Sequence, residues 1–250
     1  MSHLSVATPS PVKLSNRQQR KLKKSTKNEF RLRPIVPQNP RQSSAINSFY
    51  NDKNLLMHGF SGTGKTFLAL YLACQDILDN GSEGAAGVTI IRSAVPSRDI
   101  GFMPGNIKEK AALYEAPYAD ICSELFNRGD AYAYLKSKGL IEFCTTSYLR
   151  GINLEDKIVV VDECQNLNGN ELNTIITRLK DSSRIIFSGD YRQSDLSKER
   201  ERSHLHSFME ILKRMSYFDC IEFEKDDIVR SDMVKQFIIL REELGLTSWY

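Results

Sequence analysis

Gly59-Phe60-Ser61-Gly62-Thr63-Gly64-Lys65-Thr66 reads G-x-x-x-x-G-K-[ST], the spacing of a phosphate-binding loop. Gly59, Gly62 and Gly64 let successive backbone N–H groups turn into one concavity without Cβ clashes. Ser61 and Thr63 complete that cradle. Lys65 can reach the β- and γ-phosphates of a nucleotide as a point charge, and Thr66 offers its hydroxyl to Mg²⁺. The flanks supply the required context. Residues 54–58 (Asn-Leu-Leu-Met-His) suit a short buried strand, and residues 67–74 (Phe-Leu-Ala-Leu-Tyr-Leu-Ala-Cys) favour a helix that is apolar on more than one face. The positive end of that helix dipole would face the phosphates. A Gly/Ser-rich surface loop is the plainer alternative, but it does not call for these flanks.

Outward from the loop, apolar strand-like runs at 55–57, 88–91, 140–143, 157–161 and 184–187 alternate with helix-like stretches at 66–78, 107–128 and 170–179. Alternation of this kind predicts an α/β fold with a mainly parallel central sheet, helices on both faces, and ligands at the carboxyl ends of the strands. A further strand is expected at 221–223, a helix at 226–240, and a flexible glycine loop at 80–87.

The chain has 250 residues, enough for one sizeable core, with a net charge of +3. That charge is unevenly placed. Residues 1–41 hold ten Lys and Arg against the single acid Glu29, a charge of +9, and the rest carries −6. Residues 1–28 lack apolar content and read as a basic flexible arm, with 29–250 as a single domain. Such an arm can grip nucleic-acid phosphates or can be a solvated tail. The sequence has no apolar run of membrane-spanning length and no secretory signal core, so a cytoplasmic protein is expected. Five scattered cysteines form no C-x-x-C pair, which argues against a zinc site or a disulfide framework.

Residues 157–163 (Lys-Ile-Val-Val-Val-Asp-Glu) run four apolar β-formers into two acids. A strand buried on both faces delivers such acids into the ligand crevice. Asp162 is the candidate for the Mg²⁺ shell, and Glu163 the candidate that polarises an attacking water. An exposed acidic turn is the alternative that the phosphate loop disfavours. A second buried strand ends in Gly189-Asp190-Tyr191-Arg192-Gln193. Gln193 at its tip could sense the γ-phosphate, with Asp190 fixing the loop or the metal shell; a solvent-facing loop is the alternative for Gln193. Gln42, 17 residues before Gly59, could read the N6 and N7 edge of adenine. Arg92, Arg150, Arg178 and Arg230 sit where a cation could reach a γ-phosphate, and an arginine finger accelerates hydrolysis about a thousandfold or more.

Gly62-Thr63-Gly64-Lys65-Thr66, Arg92-Ser93-Ala94-Val95, Gly101-Phe102-Met103-Pro104-Gly105, Lys110, Arg150-Gly151, Asp162-Glu163-Cys164-Gln165-Asn166, Thr177-Arg178-Leu179, Gly189-Asp190, Gln193 and Val229-Arg230 together resemble the PhoH-like ATPases of bacteria and bacteriophages. Those proteins are similar to the N-terminal motor domain of superfamily 1 helicases. The resemblance spans about residues 34–240. It departs at Ser93, where the family usually has proline, at Cys164 (alanine) and at Ser231 (histidine). It implies a RecA-like P-loop NTPase fold, ATP as ligand, Mg²⁺-dependent hydrolysis and a hexameric ring. The PIN nuclease domain of some relatives is not carried over. Length independently suggests assembly. Helicase-type motors hydrolyse ATP between two such domains, and this chain has room for one, so a finger arginine would come from a neighbouring subunit in a head-to-tail homo-oligomer. The expected function is ATP hydrolysis coupled to RNA or single-stranded DNA. An ATP-driven protein-remodelling switch and a nucleotide-dependent scaffold with little turnover are the alternatives.

Overall fold

The computed structural model describes residues 30–79, 85–93, 107–191 and 199–244, with only the backbone at 79, 107–112, 150–151 and 199–203. The chain divides into two units, Met1–Arg31 and Leu32–Tyr250, and every element below belongs to the second. The expected arm at 1–28 lies outside the described residues, as do Ala94, Val95, Gly101–Gly105, Arg192 and Gln193.

Six strands form one sheet in the order β3-β2-β4-β5-β1-β6, and every pair is parallel. They are β1 (Asn54–Gly59), β2 (Gly87–Arg92), β3 (Ile141–Thr145), β4 (Lys157–Asp162), β5 (Arg184–Gly189) and β6 (Phe218–Phe223). Burial follows position in the sheet. Central β1, β4 and β5 are buried at five consecutive residues, whereas the edge strands β3 and β6 alternate with partly exposed positions. The near-continuous Val/Ile/Leu runs of the centre are what two covered faces require.

Helix α2 (Lys65–Asp79) follows the glycine loop. Leu68, Ala69, Leu70, Leu72, Ala73 and Cys74 are all buried, which fits a helix apolar around most of its surface. It contacts β2, β4 and β5. On the opposite face Val159, Val161, Ile185 and Phe187 pack with Leu172 and Ile175 of α5 (Gly169–Arg178) and with Leu205, Met209 and Leu212 of α6 (Glu199–Arg214). The α5 start is fixed by a capping box, in which the Asn168 side chain accepts from Glu171 N and the Glu171 side chain accepts from Asn168 N. Helix α3 (Ile107–Phe126) and the short α4 (Ala131–Ser137) connect β2 to β3. Helix α1 (Pro40–Tyr50) starts with Pro40 in its first turn and Asn39 as cap, accepting from Gln42 N.

The expected strands are present, with β6 extended back to Phe218 and β3 shifted to Ile141–Thr145. The helix expected at 226–240 is not continuous. A 3-10 turn (Lys225–Asp227) gives way to extended backbone before α7 (Asp232–Glu243). The reason is tertiary: Val229 donates its N–H to Gly62 O at 3.0 Å, so the phosphate loop takes a bond that a helix would have kept. Helix α3 stops at Phe126, before the expected 128, because Asn127 turns to positive φ.

Candidate nucleotide site

The loop after β1 is shaped by its glycines and by what packs behind them. Gly59 has φ 115°, and a Cβ there would meet Phe223 O at 2.0 Å, so edge strand β6 closes directly onto the loop. Gly64 has φ 85°, and its missing Cβ leaves room for Gln42 Nε2 at 3.0 Å. That amide donates to Thr63 O at 3.0 Å, while Gln42 Oε1 accepts from Gln38 N at 2.8 Å. Gln42 thus ties the segment before α1 to the loop, and it lines the cavity there.

Lys65 is buried, and its ammonium donates to Gly59 O (2.9 Å), Phe60 O (2.6 Å) and Thr63 Oγ1 (3.3 Å). Burial lowers its pKa below the ordinary lysine value, with Asp190 and then Glu163 acting against that shift. Across the loop, Thr66 donates its hydroxyl to Asp162 Oδ1 at 2.8 Å, although the two residues are 96 apart in sequence. Tyr118 of α3 donates to Asp162 Oδ2 at 2.9 Å. Burial, and then the charge of Asp162, raise the Tyr118 phenol above its ordinary range, so it stays protonated as a donor.

Glu163 follows β4 in the left-handed region, at φ 50° and ψ 42°. Outside glycine such backbone costs of order 1 kcal/mol or more and persists where surrounding contacts demand it. The contacts here run through Gln165. Its Nε2 donates to Glu163 Oε2 at 2.5 Å, and its Oε1 accepts from Asp190 N at 3.0 Å. Burial raises the Glu163 carboxyl above the ordinary glutamate value; Asp162 adds to the shift, and Gln165 and Arg92 oppose it. A Cβ on Gly189 would meet Gln165 Oε1 at 2.5 Å, so a glycine makes room for this bridge.

Of these groups, Gln42, Gly64, Lys65, Thr66, Asp162, Glu163 and Gly189 line a cavity of about 790 Å³ that also takes in Arg33–Val36, Asp120, Glu124, Ser188, Asp190, Val229 and Arg230. The volume falls within the range of small-molecule and cofactor sites. The donor set fits a Mg²⁺–nucleotide: a hydroxyl and a carboxylate oxygen are hard ligands, and the described residues hold no cluster of three metal-ligating side chains that would bind a cation without help from phosphate.

The arginines separate. Arg230 lines the cavity, and its Cγ is 3.1 Å from where a Gly62 Cβ would stand. Arg92 ends β2 beside Asp162 and Glu163; burial opposes its charge, but Tyr118 and these carboxylates outweigh that and raise its pKa. Arg178, the last residue of α5, donates to Ile152 O at 3.4 Å and does not line the cavity. Arg150 belongs to the 3-10 helix Thr146–Gly151, with its side chain outside the described residues. Sequence reasoning missed Tyr118, for which a helical stretch gives no signal, and gave Gln165 no role although it stands two residues from Glu163.

A parallel sheet whose first strand passes through a glycine loop into a buried helix, with an acidic strand end facing that loop, is the architecture of P-loop NTPases, and fold and site place this chain in that class. Residues 34–242 match the model of the PhoH-like proteins, and the chain belongs to that family. It is 35% identical over 181 residues to a PhoH-like protein of Bacillus subtilis (72% of this chain, 55% of that protein). It is 32% identical over 209 residues to one of Synechocystis (83% and 62%). The chain therefore spans less than two thirds of either relative. Among solved structures it is similar to the UvsW helicase of bacteriophage T4 (14% identity, TM-score 0.46, 82% of this chain and 67% of that one). It is also similar to the Pif1 helicase of Candida albicans (15%, 0.42, 84% and 44%). No helix among the described residues is long and apolar enough to cross a membrane.

Proposed function

We propose that this chain is an ATPase that hydrolyses ATP with Mg²⁺ and couples turnover to RNA or single-stranded DNA in the cytoplasm. The observation that carries the reading is convergence: Thr66 bonds Asp162 at 2.8 Å, with buried Lys65 and half-buried Glu163 on the same cavity. Gly59, Ser61, Gly62, Thr63, Gly64 and Lys65 hold the phosphates, Gln42 reads adenine, and Thr66 and Asp162 hold the metal. Bound Mg²⁺ supplies charge neutralisation and orientation of the phosphates. Glu163 orients and polarises the attacking water, and its raised pKa suits a group that accepts a proton. Gln193 senses the γ-phosphate. Arg230 acts on the nucleotide of its own subunit, and Arg150 and Arg178 are the candidates to act on a neighbour's site in a head-to-tail ring, with a hexamer the form the family implies.

Nucleotide binding and phosphate release by Glu163→Gln test this reading. ATP binding should persist while turnover falls about 10²- to 10⁴-fold, the usual worth of a positioned general base. Unchanged turnover would refute the assignment. The nucleic-acid half rests on the +9 charge of residues 1–41. Affinity for a single-stranded oligonucleotide should fall steeply with salt, and deletion of 1–28 should flatten that dependence. For shared sites, mixtures of Lys65→Ala and Arg178→Ala chains should regain part of the turnover that each lacks alone. Absence of rescue at every ratio would remove Arg178 from the interface.

A further inference from the structure

Resting on the Mg²⁺–nucleotide reading above, we infer that Tyr118 is a positioning residue for the metal-binding Asp162, aligning its carboxylate through a buried phenol–carboxylate hydrogen bond. Tyr118 is fully buried (0% exposed). Its hydroxyl lies 2.9 Å from Asp162 Oδ2, and Thr66 takes the other oxygen at 2.8 Å. The direction of the bond follows from the two groups: the phenol has a proton to give, and a carboxylate oxygen accepts it. A carboxylate has about four lone-pair sites, and two hydroxyls use two of them. Asp162 is thereby held at both oxygens and keeps acceptor capacity for a cation or its waters.

The phenol is itself held in place. Its ring packs against Phe143 of β3 at a centroid separation of 5.8 Å. Over the next two turns of α3, Asp120, Ile121, Glu124 and Leu125 line the cavity. One helix therefore both walls the nucleotide site and steers the acid at its metal end. Without the hydroxyl, the ring would still fill its space, but Asp162 would lose one of its two anchors.

Tyr118→Phe removes one oxygen and keeps the ring. A matched control is available in Tyr132→Phe. Tyr132 of α4 donates to Glu115 Oε2 of the same helix α3 at 3.0 Å, and neither residue lines the cavity. Binding of a fluorescent ATP analogue is titrated with Mg²⁺ from an EDTA baseline in the full chain, with kcat, KM and Tm measured alongside. Tyr118→Phe should move the Mg²⁺ midpoint upward about tenfold or more, as loss of an outer-shell partner of a metal ligand does. It should leave metal-free binding unchanged and lower kcat more than it raises KM. Tyr132→Phe should lower Tm without moving the midpoint. A wild-type midpoint in Tyr118→Phe, or an equal loss of binding in EDTA, overturns the inference while the proposed function stands. Failure of the unaltered chain to bind the analogue with Mg²⁺ overturns both.

Discussion

The two ends of the cavity are built in opposite ways. At the phosphate end, Lys65, Thr66, Asp162 and Glu163 are tied to one another, to Tyr118 or Gln165, or to loop carbonyls, and three of the four are at least nine-tenths buried or carry burial-shifted pKa values. At the other end, Arg33–Val36 forms an open wall. Val36 is 82% exposed, and the segment is held by main-chain and amide bonds such as Arg33 N to Leu125 O at 2.7 Å. Transition-state stabilisation needs donors and charges that are fixed before the reaction. Discrimination among bases can rest on a few adaptable contacts. The contrast teaches that the groups gathered at the sheet are locked from many sides, whereas the wall beside them is held by a few main-chain and amide bonds.

Substitutions can break or sharpen that contrast. The largest effect is expected at Gly59. Gly59→Ala sets a Cβ into Phe223 O on a backbone of positive φ, and unfolding measurements should show a loss of about 4 kcal/mol or more, the range reserved for severe clashes. Lys65→Ala should weaken ATP binding about 100-fold by calorimetry, the worth of a charge-assisted contact. Gln42→Ala should cost about tenfold or less and should narrow the preference for ATP over GTP, as a neutral hydrogen bond does. An equal loss for both nucleotides would assign Gln42 to loop support alone.

A smaller effect concerns stability and pH. Burial raises the folded-state pKa of Glu163 above its unfolded value, so the folded chain holds that proton more tightly. Stability is therefore drawn down as pH rises through the shifted pKa, and the cost is absent below the ordinary carboxylate range. Thermal unfolding of Glu163→Gln should show a higher Tm than the unaltered chain at neutral pH, with the gain vanishing toward pH about 4. Last, Val36→Ser should change ATP affinity by no more than about twofold, as exposed positions do. A large effect there would make the open wall as demanding as the buried end.

The buried end was largely legible in the sequence because its signals are local. A G-x-x-x-x-G-K-[ST] run and a Val-Val-Val-Asp-Glu strand end each carry their chemistry within eight residues. What the text concealed is what side chains do across long separations. Tyr118 meets Asp162 from 44 residues away, and nothing in a helical pattern marks it. The break between Asp227 and α7 was hidden for the same reason, since the bond that interrupts the helix belongs to Gly62. The 7-residue α4 is too short for a periodic pattern to declare itself. The four candidate arginines could not be ranked by sequence position, and the cavity separates Arg230 from Arg178.

The closure of β6 on Gly59 also bears on how the protein is made. Phe223 O accepts from Phe60 N at 3.0 Å, and Val229 bonds Gly62, so the motif takes its shape from residues encoded far downstream of it. During synthesis a chain emerges at about 5–20 residues per second. The nascent segment 59–66 must therefore wait on the ribosome for more than 150 further residues before its partners at 223 and 229 appear. The loop is consequently completed late in the birth of this molecule, and a stalled or prematurely released product would expose it unfinished.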